Sequence, residues 1–446
     1  MEHIDLDNIF FPSQHISDPK WFAGRKDDIE KALQSLCTAG ASMLVYGERG
    51  AGKTSFVEMI KQIAEGKSYF LFNPRYNFHK RFPQEKFKFK IISTICDEET
   101  NTTSRVLQCL ITDPKDGIRG LLTSRMEKIE STIKSKYTLD FLKLFAISRE
   151  EEEKKSAMEF KEDFVFEKFS NLLKIIASEV LNPYEGLLII IDEFDQVKDS
   201  SKMASLIKKL STGNVKFLLS GIAEQYDQLL SGHSSVNRQL FNGRINIRLM
   251  TDDEIREVFK LVTENTKDAI RFEKSFVDEV IEKSNRFPYF VQLFGKLSLD
   301  AYYKEKGYHT PMIIHNQHLK TGLKKIGLNE EQMEQDYLSI IKDNPLKELA
   351  IKFLAKQTAN KISDEEIFTC FHKKGVMGSQ PKNTLTSLLS SREPHFLIRE
   401  REDSEYVLFK NKLFKTFVNI REPELIRQRD NDFYLPKELT QIKKVQ

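Results

Sequence analysis

Residues 47 to 54 read Gly47-Glu48-Arg49-Gly50-Ala51-Gly52-Lys53-Thr54, a complete Gly-x-x-x-x-Gly-Lys-Thr phosphate-binding loop, followed by Ser55. Glycines in such a loop let the backbone wrap closely, so that successive N–H groups point at phosphate oxygens. The helix that follows adds the positive end of its dipole. Lys53 is expected to place its ammonium between β- and γ-phosphates, and the Thr54 hydroxyl to ligate Mg²⁺. A second chemical group stands far downstream, where Leu187-Leu188-Ile189-Ile190-Ile191 ends in Asp192-Glu193. Asp192 is expected to hold Mg²⁺ through water, and Glu193 to polarise an attacking water. The pattern calls for ATP and Mg²⁺ as cofactors.

These residues need a scaffold, and the flanking sequence predicts one. Ser42-Met43-Leu44-Val45-Tyr46 reads as a short apolar strand before the loop, and Ser55-Phe56-Val57-Glu58-Met59-Ile60 opens an amphipathic helix after it. The apolar run ending at Ile191, preceded by Pro183 and Gly186, fits a strand buried on both faces of a parallel sheet. Ligands in open α/β sheets bind at the carboxyl ends of such strands. Two further strands are expected at Tyr69-Phe70-Leu71-Phe72 and at Val215–Gly221, the latter after a helix over Ala204–Leu210. Ser220 would then sit beside the acidic strand end, sensing the γ-phosphate or positioning the water; a plain turn residue before Gly221 is the alternative.

Composition bounds the remaining readings. A chain of 446 residues accommodates two to four domains at roughly 100–200 residues each. Hydrophobic content of 40% is enough for packed cores, which argues against disorder. The 69 basic and 66 acidic residues leave a formal charge of +3, so only local patches can favour a nucleic-acid partner. Cys37, Cys96, Cys109 and Cys370 are scattered without metal-site spacing and read as reduced structural thiols. The N-terminus Met1-Glu2-His3-Ile4-Asp5 lacks the apolar stretch of a signal peptide, and no run of about eighteen apolar residues exists to span a membrane. A cytoplasmic protein is the expectation.

The order of a Phe22-Ala23-Gly24-Arg25 box, phosphate loop, Asp192-Glu193 strand and Ser220 strand, followed by Arg238 in His233-Ser234-Ser235-Val236-Asn237-Arg238, resembles the AAA+ and STAND groups of P-loop ATPases. In outline it is similar to their origin-recognition-type, archaeal-ATPase-type and transposition-regulator branches. The resemblance covers residues 20 to 305 well and the C-terminal third loosely. It implies that Trp21, Phe22 and Arg25 neighbour the adenine. It also implies an arginine finger, acting on a neighbouring subunit's γ-phosphate, on the path after the Ser220 strand. Arg238 matches the Ser-x-x-Arg placement, whereas Arg244 is the alternative and can instead belong to a last strand over Ile245–Leu249. A guanidinium suits the role because it stays charged and bonds phosphate oxygens in pairs.

Three regions are expected: a core over 1–250 with an insertion at about 73–165, a helical lid over 251–335, and a winged-helix-like domain over 340–446. The fold class is thus α/β, a parallel-sheet ATPase core with helical additions. Thr251 and Glu254 form a capping box at the start of the lid. Arg286, in Ser284-Asn285-Arg286-Phe287-Pro288, is a candidate sensor arginine that lacks the usual glycine of that turn, and the alternative is that Pro288 as the first residue of a helix explains the turn unaided. Helices over Leu346–Lys356, Asp364–Lys374 and Pro381–Ser391, then strands at Phe396–Arg399 and Tyr406–Phe409, make a winged helix. Its third helix is expected to expose Lys382, Asn383, Thr384 and Thr386, and its wing Arg399, Arg401, Lys410 and Lys412. From Pro345 onward there are 19 Lys and Arg against 14 Asp and Glu, a surplus that permits contact with DNA but equally suits packing or a protein partner. In the insertion, the run Arg149–Lys155 reads as a solvated face. Lys86-Phe87-Lys88-Phe89-Lys90 reads as an amphipathic segment, with single-strand stacking the alternative.

The leading functional expectation is an ATPase that works as an oligomeric, nucleotide-dependent switch. It would signal through the winged helix to an effector protein, and the resemblance extends this to a bacterial anti-phage defence module. The alternatives are a DNA-binding initiator, loader or transposition-regulator ATPase, and a nucleotide-binding scaffold with little hydrolysis. Glu193 argues against the last.

Overall fold

The computed structural model describes residues 5–123, 162–177, 181, 186–198, 201–211, 214–223, 238–240, 243–324, 326–342, 344–357, 359, 361–390, 397–399, 401 and 404–421. The charge run Arg149–Lys155 and the segment His233–Asn237 lie outside the described residues. Two compact units make up the chain, residues 14–250 and residues 251–446 together with 1–13.

The first unit is built on a five-stranded sheet of β1 (Met43–Gly47), β2 (Phe89–Ile95), β3 (Gly186–Asp192), β4 (Val215–Ile222) and β5 (Arg244–Asn246), in the order β2-β3-β4-β1-β5. All four pairings are parallel. The continuous apolar run of β3 is explained by the period of two along a strand, because both of its faces are covered. Leu187, Ile189 and Ile191 point into one core with Val106 and Leu110, Phe169 and Leu172, and Met203 and Ile207, carried by the helices Thr103–Thr112, Glu162–Ile175 and Ser201–Leu210. Leu188 and Ile190 point into the other, with Ile29 and Leu33 of α1 (Lys26–Cys37) and Phe56 and Ile60 of α2 (Lys53–Ala64). All seven residues of β3 are buried.

One expected strand is corrected. Tyr69–Phe72 is a helical turn, and the strand beside β3 is Phe89–Ile95 instead. The burial pattern shows why: adjacent Phe70 and Leu71 are buried while Tyr69 and Phe72 are exposed, whereas a half-buried strand would alternate. The Lys86–Lys90 alternation runs into the true strand, with Phe87 and Phe89 buried in the core and therefore not offered to bases for stacking.

In the second unit, Thr251 caps the helix Asp252–Asn265. Glu254 N–H donates to Thr251 Oγ1 at 3.2 Å, and Thr251 N–H to Glu254 Oε2 at 2.8 Å. The helices Lys274–Lys283, Pro288–Lys306 and Asn316–Leu323 follow, with the parallel pair β6 (Ile270–Phe272) and β7 (Met312–Ile314). Pro288 stands in the first turn of its helix, as expected. The N-terminal segment joins this unit through Phe10. Its ring fills the space over Gly295, where a Cβ would lie 2.3 Å from Phe10 Cε1, and Phe11 N–H donates to Gln292 Oε1 at 3.0 Å.

Beyond the helix Glu331–Ile341, helices Pro345–Lys356, Asp364–Lys373 and Gln380–Leu389 accompany an antiparallel sheet in the order β8-β10-β9, formed by β8 (Ile362–Ser363), β9 (Leu397–Arg399) and β10 (Tyr406–Phe409). The two-residue β8 is too short to leave a pattern in the sequence. Thr384 is buried, contrary to expectation, while Lys382, Asn383 and Thr386 are exposed. Arg399 is held by Asp364 through two hydrogen bonds of 2.5 and 2.8 Å. At the end of the helix Lys412–Ile420, the buried Arg421 grips both carboxylate oxygens of Glu334 at 2.7 and 2.5 Å and lies 4.2 Å from the Tyr337 ring centroid. Among the described residues no helix is long and apolar enough to cross a membrane.

Candidate nucleotide-phosphate site

The phosphate loop leaves β1 at Gly47 and enters α2 at Lys53. Gly47 is required by a close approach, since a Cβ there would lie 2.3 Å from the Ile247 carbonyl oxygen. Gly52 precedes the helix in the left-handed region, with φ 92°, where a side chain is disfavoured. The first N–H groups of α2 have no carbonyl available within the helix, which is what makes this terminus an anion cradle. Lys53 folds back over the loop, its Nζ donating to the carbonyls of Glu48 at 2.9 Å and Gly47 at 3.2 Å. Burial lowers the pKa of Lys53, while Asp195, Asp192 and Glu193 act to raise it and Arg49 adds to the lowering. The lysine of the loop and the acids at the end of β3 therefore share one electrostatic site.

Asp192 is buried at the carboxyl end of β3, and its Oδ1 accepts the Glu193 N–H at 2.9 Å. Glu193 adopts a left-handed backbone, φ 54° and ψ 36°, which turns the chain out of the sheet and leaves its side chain exposed. Desolvation, followed by Asp192 and Asp195, pushes the Glu193 carboxyl up, against Arg49 and Lys53. A raised carboxyl pKa suits a group that must accept a proton. Asp195, not anticipated from the sequence, ties this turn to the end of β4 by accepting the Ile222 N–H at 2.8 Å. The available signal was the closely spaced acids of Asp192-Glu193-Phe194-Asp195.

Ser220 lies between the two halves of the site because β4 lies between β1 and β3. It pairs with Val45 on one side, and on the other stands one step past the Ile191–Leu219 pair, level with Asp192. Its side chain is fully buried, and its Oγ has no hydrogen-bond partner among the described residues. A hydroxyl desolvated without a partner is costly, which marks it as a group kept for a ligand or a water.

The Gly24-Arg25 box also reaches the loop. Arg25 Nη2 donates to the Ala51 carbonyl at 3.0 Å, and the Phe22 ring packs in the core against Phe70 at a centroid distance of 5.9 Å. Ser55 anchors the preceding chain, its Oγ accepting the Ile16 N–H at 3.0 Å, while Thr54 and Arg49 are exposed at the loop. Gly50 and Ala51 complete the turn, Gly50 with φ 78°. Arg238 is exposed on a turn, whereas Arg244 enters β5 opposite Leu44, three residues before Gly47. Arg286 is paired with Asp252 at 2.7 Å.

The donor set fits a nucleoside triphosphate with Mg²⁺. A cradle that only glycine can line, a lysine bent over it, a threonine hydroxyl, a buried aspartate and a partnerless serine hydroxyl converge there. Among the described residues no three His, Cys, Asp or Glu gather as a metal cage. Mg²⁺ does not need one, since it binds through one or two protein oxygens together with phosphates and waters. Replacing Ser220 by Ala removes the unsatisfied hydroxyl and is expected to raise the stability of the nucleotide-free protein by about 1 kcal/mol, measured by urea unfolding.

Comparison with known proteins bears on this geometry. Residues 22–218 match the family described as AAA ATPase domain. A protein of Acanthamoeba polyphaga mimivirus described as cfxQ-like is 22% identical over 181 residues, covering 35% of this chain and 43% of the relative. The match thus spans less than half of that relative's length. Among solved structures, a Walker-type ATPase of Pyrococcus abyssi is 15% identical with a TM-score of 0.45, covering 91% of this chain and 98% of its own. The Aeropyrum pernix Orc1 protein in complex with DNA is 11% identical with a TM-score of 0.46, covering 95% and 97%. The family match falls on the stretch that holds the phosphate loop, Asp192 and β3, and it identifies residues 22–218 as an AAA ATPase domain.

Proposed function

We propose that the chain binds ATP with Mg²⁺ at the loop of residues 47–54, hydrolyses it, and uses the cycle as an oligomeric switch. The observation that carries this reading is the mutual electrostatic influence of Lys53 with Asp192, Glu193 and Asp195, with the partnerless Ser220 hydroxyl level with Asp192 on the strand between them. Bound Mg²⁺–ATP supplies the transferable γ-phosphoryl group and the charge that draws electrons from it. Lys53 exchanges its loop carbonyls for phosphate oxygens. Thr54 Oγ1 and the Asp192 carboxylate would hold the metal side, and Ser220 Oγ would orient the water or the γ-phosphate. The Glu193 carboxylate takes the proton of the attacking water.

Arg238, exposed and outside the sheet, is the finger supplied to a neighbouring subunit. The helix–strand–helix–helix–strand–strand order over 345–409 supports a winged helix that carries the signal to an effector protein. By resemblance, the setting is a cytoplasmic anti-phage module. A second reading, contact with DNA, is favoured by one observation: Lys373, Lys374 and Lys382 are exposed within a stretch, Ile367–Ser391, that contains no acidic residue. DNA contact would make affinity fall steeply with salt, whereas a packing surface would not bind DNA.

Lys53→Ala is expected to weaken ATP binding by about 10- to 100-fold, the worth of hydrogen bonds to a charged partner. Titration with a fluorescent ATP analogue checks it, and unchanged affinity in the folded variant removes the phosphate-loop assignment. Glu193→Gln retains binding but slows phosphate release, because the amide cannot accept the proton; a wild-type rate would place that role elsewhere. Arg238→Ala lowers hydrolysis by about a thousandfold or more, as fingers do, without weakening binding to the isolated subunit. Mixing Arg238→Ala with Lys53→Ala subunits should recover activity, since one supplies the pocket and the other the finger. No recovery in verified mixed oligomers moves the role to Arg244 or leaves a monomeric switch.

A further inference from the structure

Arg25 sits at the start of α1 with a left-handed backbone, φ 60° and ψ 23°, directly after Gly24 at φ 71°. Its side chain is buried and does not run to solvent; Nη2 donates to the carbonyl oxygen of Ala51, inside the phosphate loop, at 3.0 Å. The peptide joining Ala51 to Gly52 is planar and trans, so its C=O and N–H point in opposite directions. A guanidinium that holds the carbonyl on one side therefore fixes the direction of the Gly52 N–H on the other. The positive charge also polarises that peptide, strengthening its N–H as a donor.

The backbone from which Arg25 extends is itself held. Tyr76 Oη donates to the Gly24 carbonyl at 3.3 Å. The Tyr76 ring is buried between Phe70, at a centroid distance of 5.2 Å, and Phe78, stacked at 5.5 Å. An aromatic cluster in the segment between α2 and β2 thus connects to the phosphate loop through two hydrogen bonds and one arginine. We infer that Arg25, set in place by Tyr76, is a positioning residue for the phosphate loop: it aims the Gly52 N–H at bound phosphate and takes no part in reading the base.

This inference rests on the phosphate-loop reading above, and one set of titrations separates the two. The full chain is titrated with Mg²⁺ and ATP, GTP or inorganic tripolyphosphate, as wild type and as Arg25→Gln, Arg25→Lys, Tyr76→Phe and Arg81→Ala. Arg25→Gln is expected to weaken all three ligands by a similar factor of about ten, the worth of a charge-assisted bond. KM rises while kcat changes little, as for uniformly lost binding. Arg25→Lys recovers part of the loss. Tyr76→Phe, which keeps the ring and its packing, weakens all three by about threefold. Arg81, exposed in the same segment and paired with Glu30 of α1, is the control, and its variant matches wild type.

Loss confined to ATP and GTP, with tripolyphosphate bound normally, overturns the inference and makes Arg25 a base or ribose contact. So does unaltered binding of all three by Arg25→Gln. Should Arg25→Gln fail to fold, as judged by its melting transition, Tyr76→Phe decides alone: wild-type affinity there overturns the inference. A wild-type chain that binds none of the three ligands refutes the phosphate-loop reading instead.

Discussion

Gly186–Asp192 is covered on both faces, and this constraint organises the unit of residues 14–250. Leu187, Ile189 and Ile191 fill one core and Leu188 and Ile190 the other, so no polar group can stand along the strand without losing solvation. Chemistry is confined to its carboxyl end, where Asp192 is the first residue to leave the apolar layers. The same burial holds Asp192 rigidly: its backbone carbonyl accepts the Cys96 N–H at 2.9 Å, and its side chain turns to the Glu193 N–H. A carboxylate placed by a core strand has little freedom to wander, which is what preorganised charge stabilisation requires.

Around that fixed point opposite charges partly offset the cost of burial. Burial lowers the Lys53 pKa and three acids offset this only in part, while partial burial and two acids raise the Glu193 pKa and Arg49 and Lys53 offset that only in part. Opposite charges in a partly desolvated site influence each other far more than they would in water. Cys96 shares the surroundings: burial, Cys109 and the neighbouring aspartates push its thiol up to about 12. It stays a neutral, inert core residue, as the scattered cysteines implied.

In the second unit several cations are consumed internally. Arg399 belongs to Asp364 and Arg421 to Glu334, while Lys415 donates to the carbonyls of Gln357 and Ala359 at 2.7 and 3.2 Å. The basic surplus counted from the sequence therefore overstates the charge this region presents. Lys373, Lys374 and Lys382 remain exposed, as do Lys356, Lys361, Arg401 and Lys410.

Local sequence by itself determined the phosphate loop, the β3 strand with its acidic end, the Thr251 capping box and most helices of the C-terminal region. Each is written in adjacent residues: a glycine spacing, an apolar run with a charged stop, a cap three residues before its partner. Tertiary structure alone decided the rest. Tyr69–Phe72 has the composition of a strand, yet buries an adjacent pair and is helical, while the edge of the sheet goes to Phe89–Ile95. That choice depends on which segment β3 can pair with. Strand order is likewise invisible locally, yet it is what sets Ser220 between the loop and Asp192. Arg25 illustrates the same limit: the resemblance implies a place beside the nucleotide, and only the fold shows that its guanidinium meets the Ala51 carbonyl. A contact between residues that far apart along the chain exists only once both are held by a common core.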